Sequence, residues 1–149
     1  MIVNQKTFPT GLQDRLGTDR DRDELAATFT LFQGDVLIYD NKSAKDMMVD
    51  LKLAAHKADS NPSYRWVVVC VLTHGRRVDN VDQVLGSDGE GVDRKQIVNM
   101  FANAQLCPNL HKKPKVFIFQ VLNMSKRVSI QIQHVEKEPC QPKVRAVPT

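Results

Sequence analysis

Cysteine is scarce in this chain: three residues, Cys70, Cys107 and Cys140, stand far apart. An odd number at that spacing argues against a disulfide framework and for reduced thiols. Aromatic residues make up only 6%. Acidic charge falls short of basic, leaving a net +4, and much of the excess sits late, in Lys112, Lys113, Lys115, Lys126, Arg127, Lys137, Lys143 and Arg145. No aromatics interleave with those cations as a base-stacking platform needs, so they read as a solvated surface and not as a nucleic-acid face. Long apolar runs are missing too. The run at 66–72 falls far short of the ~20 residues that span a bilayer, so no membrane partner is expected. Lys6 follows the short apolar start and no long apolar core develops there, which argues against a signal peptide and for a cytoplasmic location. A P-loop and a G-x-G-x-x-G are both absent, so a nucleotide-binding α/β domain ranks far behind other readings.

What is present suffices for one domain: 149 residues, 42% of them hydrophobic. Residues 1–3 are a short apolar strand start. Residues 19–33 have helical spacing, with Leu25, Phe29 and Phe32 at i, i+4 and i+7. Asp19, Asp21, Asp23 and Glu24 lie where the helix dipole favours acids, and Gly34 is the expected stop. Residues 35–39 read as a short strand. Ser43 with Asp46 suits the cap of a second helix, which carries Met47, Leu51 and Ala55 and ends near Ala58.

The continuous β-branched run at 66–72 predicts a strand buried on both faces, as in the middle of a parallel sheet. Residues 84–92 read as a small hairpin around Gly86-Ser87-Asp88-Gly89. Asp93 caps a third helix with Ile97, Val98 and Phe101 on its apolar face, ended by Pro108, and 116–119 is a second buried strand. This alternation predicts an open α/β fold, a mostly parallel sheet with helices on both faces. Ligands of such sheets bind beyond the carboxyl ends of the strands, where His74 and Gln120 stand. After Gln120 the character changes. Residues 128–133 alternate like an exposed strand, and a Pro-, Lys- and Glu-rich end follows. The expected division is a domain over 1–120 and a divergent, partly disordered tail over 121–149.

Five motifs in order carry a resemblance. They are Ile2-Val3-Asn4-Gln5 with Phe8, Arg15-Leu16-Gly17-Thr18-Asp19-Arg20-Asp21, Val69-Cys70-Val71-Leu72-Thr73-His74-Gly75, Gly86-Ser87-Asp88-Gly89, and Cys107-Pro108-Asn109-Leu110 with Lys113-Pro114-Lys115-Val116-Phe117-Ile118-Phe119-Gln120. Together they resemble the large subunit (p20 domain) of the caspases, the peptidase C14 family of aspartate-directed cysteine endopeptidases of apoptotic proteolysis. The resemblance implies a caspase-like three-layer fold. It implies that His74 works with a cysteine thiolate and protonates the leaving amine, and that the Gly75 N–H donates to the oxyanion. It implies that Arg15 clamps a substrate aspartate by its bidentate fork, with Gln120 lining the same pocket. It implies no cofactor. Cys107 and His111, with His134 and Cys140 elsewhere, are too sparse for a zinc signature, so no metal is expected.

The departure from the family follows Gln120. There the family continues Q-A-C-x-G, whereas this chain reads Gln120-Val121-Leu122-Asn123-Met124. Leu122 stands in the place of the nucleophilic cysteine, 48 residues after His74 (122 − 74) and close to the roughly fifty of the signature. A leucine has no lone pair to attack a carbonyl, so no acyl-enzyme forms. Cys70 in a strand, Cys107 at a helix end and Cys140 in the tail read as structural thiols.

The expectation is therefore a truncated or divergent, inactive caspase-family chain. The alternative is a pseudo-caspase that binds and regulates caspases or cell-death adaptors. Family substrates are proteins or peptides with aspartate at the cleavage position. No counterpart of the family's small-subunit strands is recognisable, which leaves the 116–119 strand as an apolar edge. The expected outcome is association with a caspase small subunit or a second copy of the chain, or aggregation, so that the isolated chain is poorly soluble or self-associating. Cover by residues 128–133 is the alternative.

Overall fold

The computed structural model describes residues 1–9 and 11–122, together with the backbone of 127–133. Three strands make the centre. β1 (Ile2–Asn4) lies between β2 (Ile38–Asp40) and β3 (Val67–Val78), parallel to both. β6 (Lys115–Leu122) runs parallel to β3 on its other side, and β7 (Arg127–Gln133) pairs antiparallel with β6. The main sheet is thus β2-β1-β3-β6-β7, parallel except for its last strand.

Period-two alternation along these strands builds two cores. Val3, Val69, Val71, Phe117 and Phe119 face α2 (Ala44–Ser60) and α3 (Arg94–Ala102), meeting Met47, Leu51, Ile97 and Phe101. The alternate residues Ile2, Cys70 and Leu72 face Leu25, Ala26 and Phe29 of α1 (Thr18–Leu31). Helices therefore cover both faces, as the sequence predicts.

β3 extends beyond the expected 66–72 run, through His74 and Gly75 to Val78. Its last residues pair antiparallel with β4 (Val81–Leu85), which pairs with β5 (Gly91–Asp93). The β3–β4 hairpin was not read from the sequence. Its turn is Asp79-Asn80, with φ of 49° and 63°, the left-handed pair a two-residue hairpin needs and Asn and Asp tolerate. Up to His74, β3 is paired with β6; from Gly75 on it is paired with β4. The strand changes partner at these two residues, and a crevice at the carboxyl edge follows from that splay.

Helix ends differ from expectation in instructive ways. α1 closes at Leu31, not Gln33. Gly34 N–H donates to Phe29 O at 2.8 Å and Gln33 N–H to Thr30 O at 2.9 Å. That double closure puts Gln33, not Gly34, in the left-handed conformation, at φ 58°. Phe32 is consequently turned outward, 68% exposed, and is not part of the core stripe. α3 ends at Ala102, well before Pro108. Asn103 stops it, its side-chain carbonyl accepting from the N–H of Gln105 and Leu106 at 2.7 and 3.3 Å. The Ser43 and Asp93 caps stand as expected, accepting from the Asp46 and Lys95 N–H groups.

The Gly86-Ser87-Asp88-Gly89 segment is more than a hairpin loop. The Asp88 carboxylate accepts from the Ala44 N–H at 3.1 and 3.3 Å and clasps the start of α2. A Cβ on Gly86 would stand 2.2 Å from the same nitrogen, so only glycine lets the loop close on the helix.

The expected open edge at β6 is a correction. β7 pairs with it from Lys115↔Gln133 to Val121↔Arg127, so the alternative of cover by this segment is what the structure holds. The connection between them, 123–126, has the length of an ordinary hairpin loop, and a short antiparallel return is the easiest way to satisfy an apolar edge. The side-chain directions of Val128, Ile130 and Ile132 and the expected disorder of the tail lie outside the described residues, as do Cys140 and His134. Among the described residues no helix is long and apolar enough to cross a membrane.

Candidate active site

His74 closes the β3–β6 ladder, and its partner in register is Leu122. The imidazole is half-buried and held from three sides. Its Nδ1 lies 3.1 Å from the Leu122 carbonyl oxygen, its Nε2 2.7 Å from the Gln13 carbonyl oxygen, and Phe8 meets it edge-on with ring centroids 4.6 Å apart. Both ring nitrogens face acceptors; a neutral ring donates to one of them and an imidazolium to both. Leu122 is thus within hydrogen-bonding reach of the histidine through its main chain. The Leu122 side chain is 39% exposed.

Gly75 follows within the strand, not in a turn. A Cβ there would stand 2.2 Å from Val121 Cγ1 and 2.8 Å from the Gln83 carbonyl oxygen. Glycine is required at this point for β4 and β6 to approach β3 together, whatever further use its N–H has.

Arg15 arrives from the loop between β1 and α1 and is 4% exposed. Its Nη1 donates to Thr18 Oγ1 at 2.6 Å and to the Gln5 carbonyl at 3.3 Å; its Nη2 donates to Gln120 Oε1 at 3.0 Å. Its Nε is buried and has no hydrogen-bond partner among the described residues. Burial pulls the guanidinium below its ordinary value, with the Asp21 charge opposing that fall. Gln120 completes the arrangement by donating from Nε2 to Asp21 Oδ2 at 2.9 Å.

The structure therefore brings Arg15, Gln120, His74 and Leu122 to one carboxyl edge. Arg15 and Gln120 touch directly, and Arg15 reaches the histidine's neighbourhood through Gln13, two residues before it. Sequence reasoning missed Gln13, because its contribution is a backbone carbonyl with no side-chain signature. It also gave no role to Asp21, although the Arg15-to-Asp21 motif contains it. Cavities of about 320 Å³, between Phe29, Trp66 and Val68, and about 350 Å³, between Ala55, Asn99 and Cys107, touch none of these residues.

The other thiols lie elsewhere. Cys70 is fully buried on the α1 face, and burial pushes its thiol up to about 11. Cys107 sits in the turn after α3, 1% exposed, its thiol raised by burial and donating to the Met100 carbonyl at 3.5 Å. A buried neutral thiol is a poor nucleophile. Among the described residues no group of three or more His, Cys, Asp or Glu could hold a metal ion.

Comparison with known proteins gives one consistent result. A sequence family described as the Caspase domain matches residues 1–147. Human (Homo sapiens) caspase-10 is 33% identical over 123 residues, covering 80% of this chain and 22% of that protein. Chicken (Gallus gallus) caspase-7 is 32% identical over 123 residues, covering 80% of this chain and 37% of that protein. The crystal structure of the Drosophila initiator caspase Dronc superposes with a TM-score of 0.73 at 25% identity, over 80% of this chain and 46% of that one. The chain spans less than half the length of each of these three proteins.

Proposed function

Because this chain belongs to the caspase family, we propose that it keeps the family's aspartate-binding half and has lost its cleavage half. The observation that carries the reading is the pairing of His74 with Leu122 beside an intact Arg15–Gln120 contact of 3.0 Å. The Arg15 guanidinium has, among the described residues, no acceptor at its Nε, and a carboxylate offers two oxygens to such a fork. In this reading Gln120 lines that pocket, the Gly75 N–H faces the carbonyl oxygen of a bound chain, and His74 stands ready with no nucleophile to serve. Leucine at 122 supplies neither thiolate nor proton, and loss of a nucleophile costs on the order of a millionfold in turnover. The chain acts in the cytoplasm on protein or peptide segments that carry aspartate, and it binds them without hydrolysis.

The test is an assay with a fluorogenic peptide carrying aspartate at the cleavage position. No turnover is expected. Turnover abolished by a thiol alkylator would overturn the proposal. In a second reading the chain is a regulatory module that occupies caspases or their adaptors without acting on peptides; because β7 satisfies the β6 edge without a second chain, such a partner would dock on another surface. Saturable binding of an aspartyl peptide decides for the first reading, and capture of a caspase without such binding for the second.

A further inference from the structure

Asp19 and Asp21 lie two apart at the start of α1 and serve different partners. Asp19 accepts from Asn4 at 3.0 Å and from Lys6 at 2.6 Å, with Arg22 at 3.5 Å. These contacts tie the loop to the end of β1. Asp21 accepts instead from the Gln120 amide at 2.9 Å. Gln120 in turn presents Oε1 to Arg15 Nη2 at 3.0 Å. Arginine can only donate and a carboxylate only accept, so a single orientation of the amide between them satisfies both ends.

The acceptors that Arg15 touches directly are all neutral: the Thr18 hydroxyl, the Gln5 carbonyl and the Gln120 amide. A guanidinium that is 4% exposed and, among the described residues, has no carboxylate in contact is a buried charge balanced only at a distance. Asp21, one amide away, is the acid that opposes its desolvation.

We propose that Asp21 is a positioning residue for the carboxylate pocket. Through Gln120 it fixes the amide, and by its charge it sets how strongly the pocket prefers a carboxylate over the matching carboxamide. This rests on the reading of Arg15 as the aspartate-binding group. A ligand carboxylate that reaches the Arg15 guanidinium makes directly the ion pair that Asp21 makes only through Gln120, and the Asp21 charge opposes its arrival. Asp21→Asn keeps an acceptor for the Gln120 amide and removes the charge. Asp21→Leu removes both.

The experiment has two arms on the intact chain. Fluorescence anisotropy compares a labelled peptide ending in an aspartyl amide with its asparaginyl twin. Amide NMR of the ligand-free protein follows the Gln120 side-chain NH2 resonances. In Asp21→Asn the aspartyl peptide is expected to bind on the order of fivefold more tightly, with the asparaginyl twin unchanged. In Asp21→Leu the Gln120 resonances are expected to move, because their acceptor is gone. Tightening of both peptides alike, or weaker aspartyl binding in Asp21→Asn, overturns the charge role. Gln120 resonances that stay in place in Asp21→Leu overturn the positioning role. If the wild-type chain binds neither peptide, the aspartate-binding reading itself fails, and the NMR arm alone still decides the tie between Asp21 and Gln120.

Discussion

The two halves of the carboxyl edge are built to different standards. At Arg15 the side chain is buried, three acceptors hold it, and each contact restricts the next: Thr18 also donates to Asn4 Oδ1 at 2.7 Å, and Gln120 is pinned by Asp21. At His74, 48 residues before its register partner, the contacts are to two main-chain carbonyls and one aromatic edge, and the facing side chain is half in solvent. The first arrangement depends on side-chain identity at nearly every position. The second depends on backbone, which almost any residue at 122 supplies. Substitution at 122 is therefore expected to leave the fold intact, while substitution of Arg15 or its partners disturbs it.

The sharpest way to break that contrast is at Arg15. Arg15→Met leaves the Gln5 carbonyl, the Thr18 hydroxyl and Gln120 Oε1 short of a buried donor. A cost of about 3–4 kcal/mol in urea unfolding is expected, with loss of aspartyl-peptide binding. Arg15→Lys restores a charge but not the fork, so it is expected to recover part of the stability and none of the binding. Equal peptide affinity in Arg15→Lys and wild type would show that the pocket does not use the fork.

Cys70 sharpens the comparison from the core side. Its folded value, raised to about 11, lies above the ~8.5 of an unfolded thiol. A raised value means that the fold prefers the protonated form. The stability this gives is complete below the unfolded value and drains as pH climbs through about 9 to 11, on the order of 3 kcal/mol in all. Cys70→Val removes the titrating group at similar volume. Its unfolding free energy is expected to fall less steeply over that window than that of wild type, measured by urea titration at several pH values. Parallel slopes would show that the thiol is not held neutral.

Gly75 lies on the seam between the two halves. Gly75→Ala drives a methyl onto Val121 and toward the Gln83 carbonyl, at a cost of about 1–2 kcal/mol. Val121→Ala in the same chain should return part of that loss, a coupling that a double-mutant cycle measures. Strict additivity would mean that the two residues do not compete for the same space.

Much of this was legible in the sequence, for physical reasons that also mark where legibility stopped. The runs around Val69 and Phe117 announce buried parallel strands because both faces are apolar. Ser43 and Asp93 announce helix starts because their side chains bond locally. The motif residues Arg15, His74 and Gln120 stand at one edge, as their positions after strands imply. What stayed hidden depends on partners distant in the chain. The Gln120–Asp21 tie joins residues 99 apart, and the Gln13 carbonyl reaches His74 across 61. The extension of β3 to Val78 carries the polar residues His74, Arg76 and Arg77, which break the apolar pattern. Phe32 fits helical spacing but is the C-cap of α1, inside the turn that closes it. The return of β7 onto β6 is a choice between an intramolecular and an intermolecular partner, which alternation alone does not make.

The smallest effect on stability should come from Leu122→Cys, and it tests the contrast most directly. The side chain at 122 is 39% exposed, so shortening it removes little buried surface, and a change of under about 1 kcal/mol is expected. The main-chain carbonyl that meets His74 at 3.1 Å is unchanged by the substitution. What changes is chemistry. The new thiol lies one residue across the ladder from an imidazole and is accessible, whereas Cys70 and Cys107 are buried with their thiols raised. Thiolate fraction and access both govern alkylation, so the new thiol should react with iodoacetamide at neutral pH well before those two. Mass mapping of the labelled peptides over time reads this directly, and His74→Ala in the same background should slow that one site without slowing the others. A thiol at 122 that labels no faster than Cys70, in a chain that unfolds as wild type does, would mean that the histidine edge is closed to solvent and reagent.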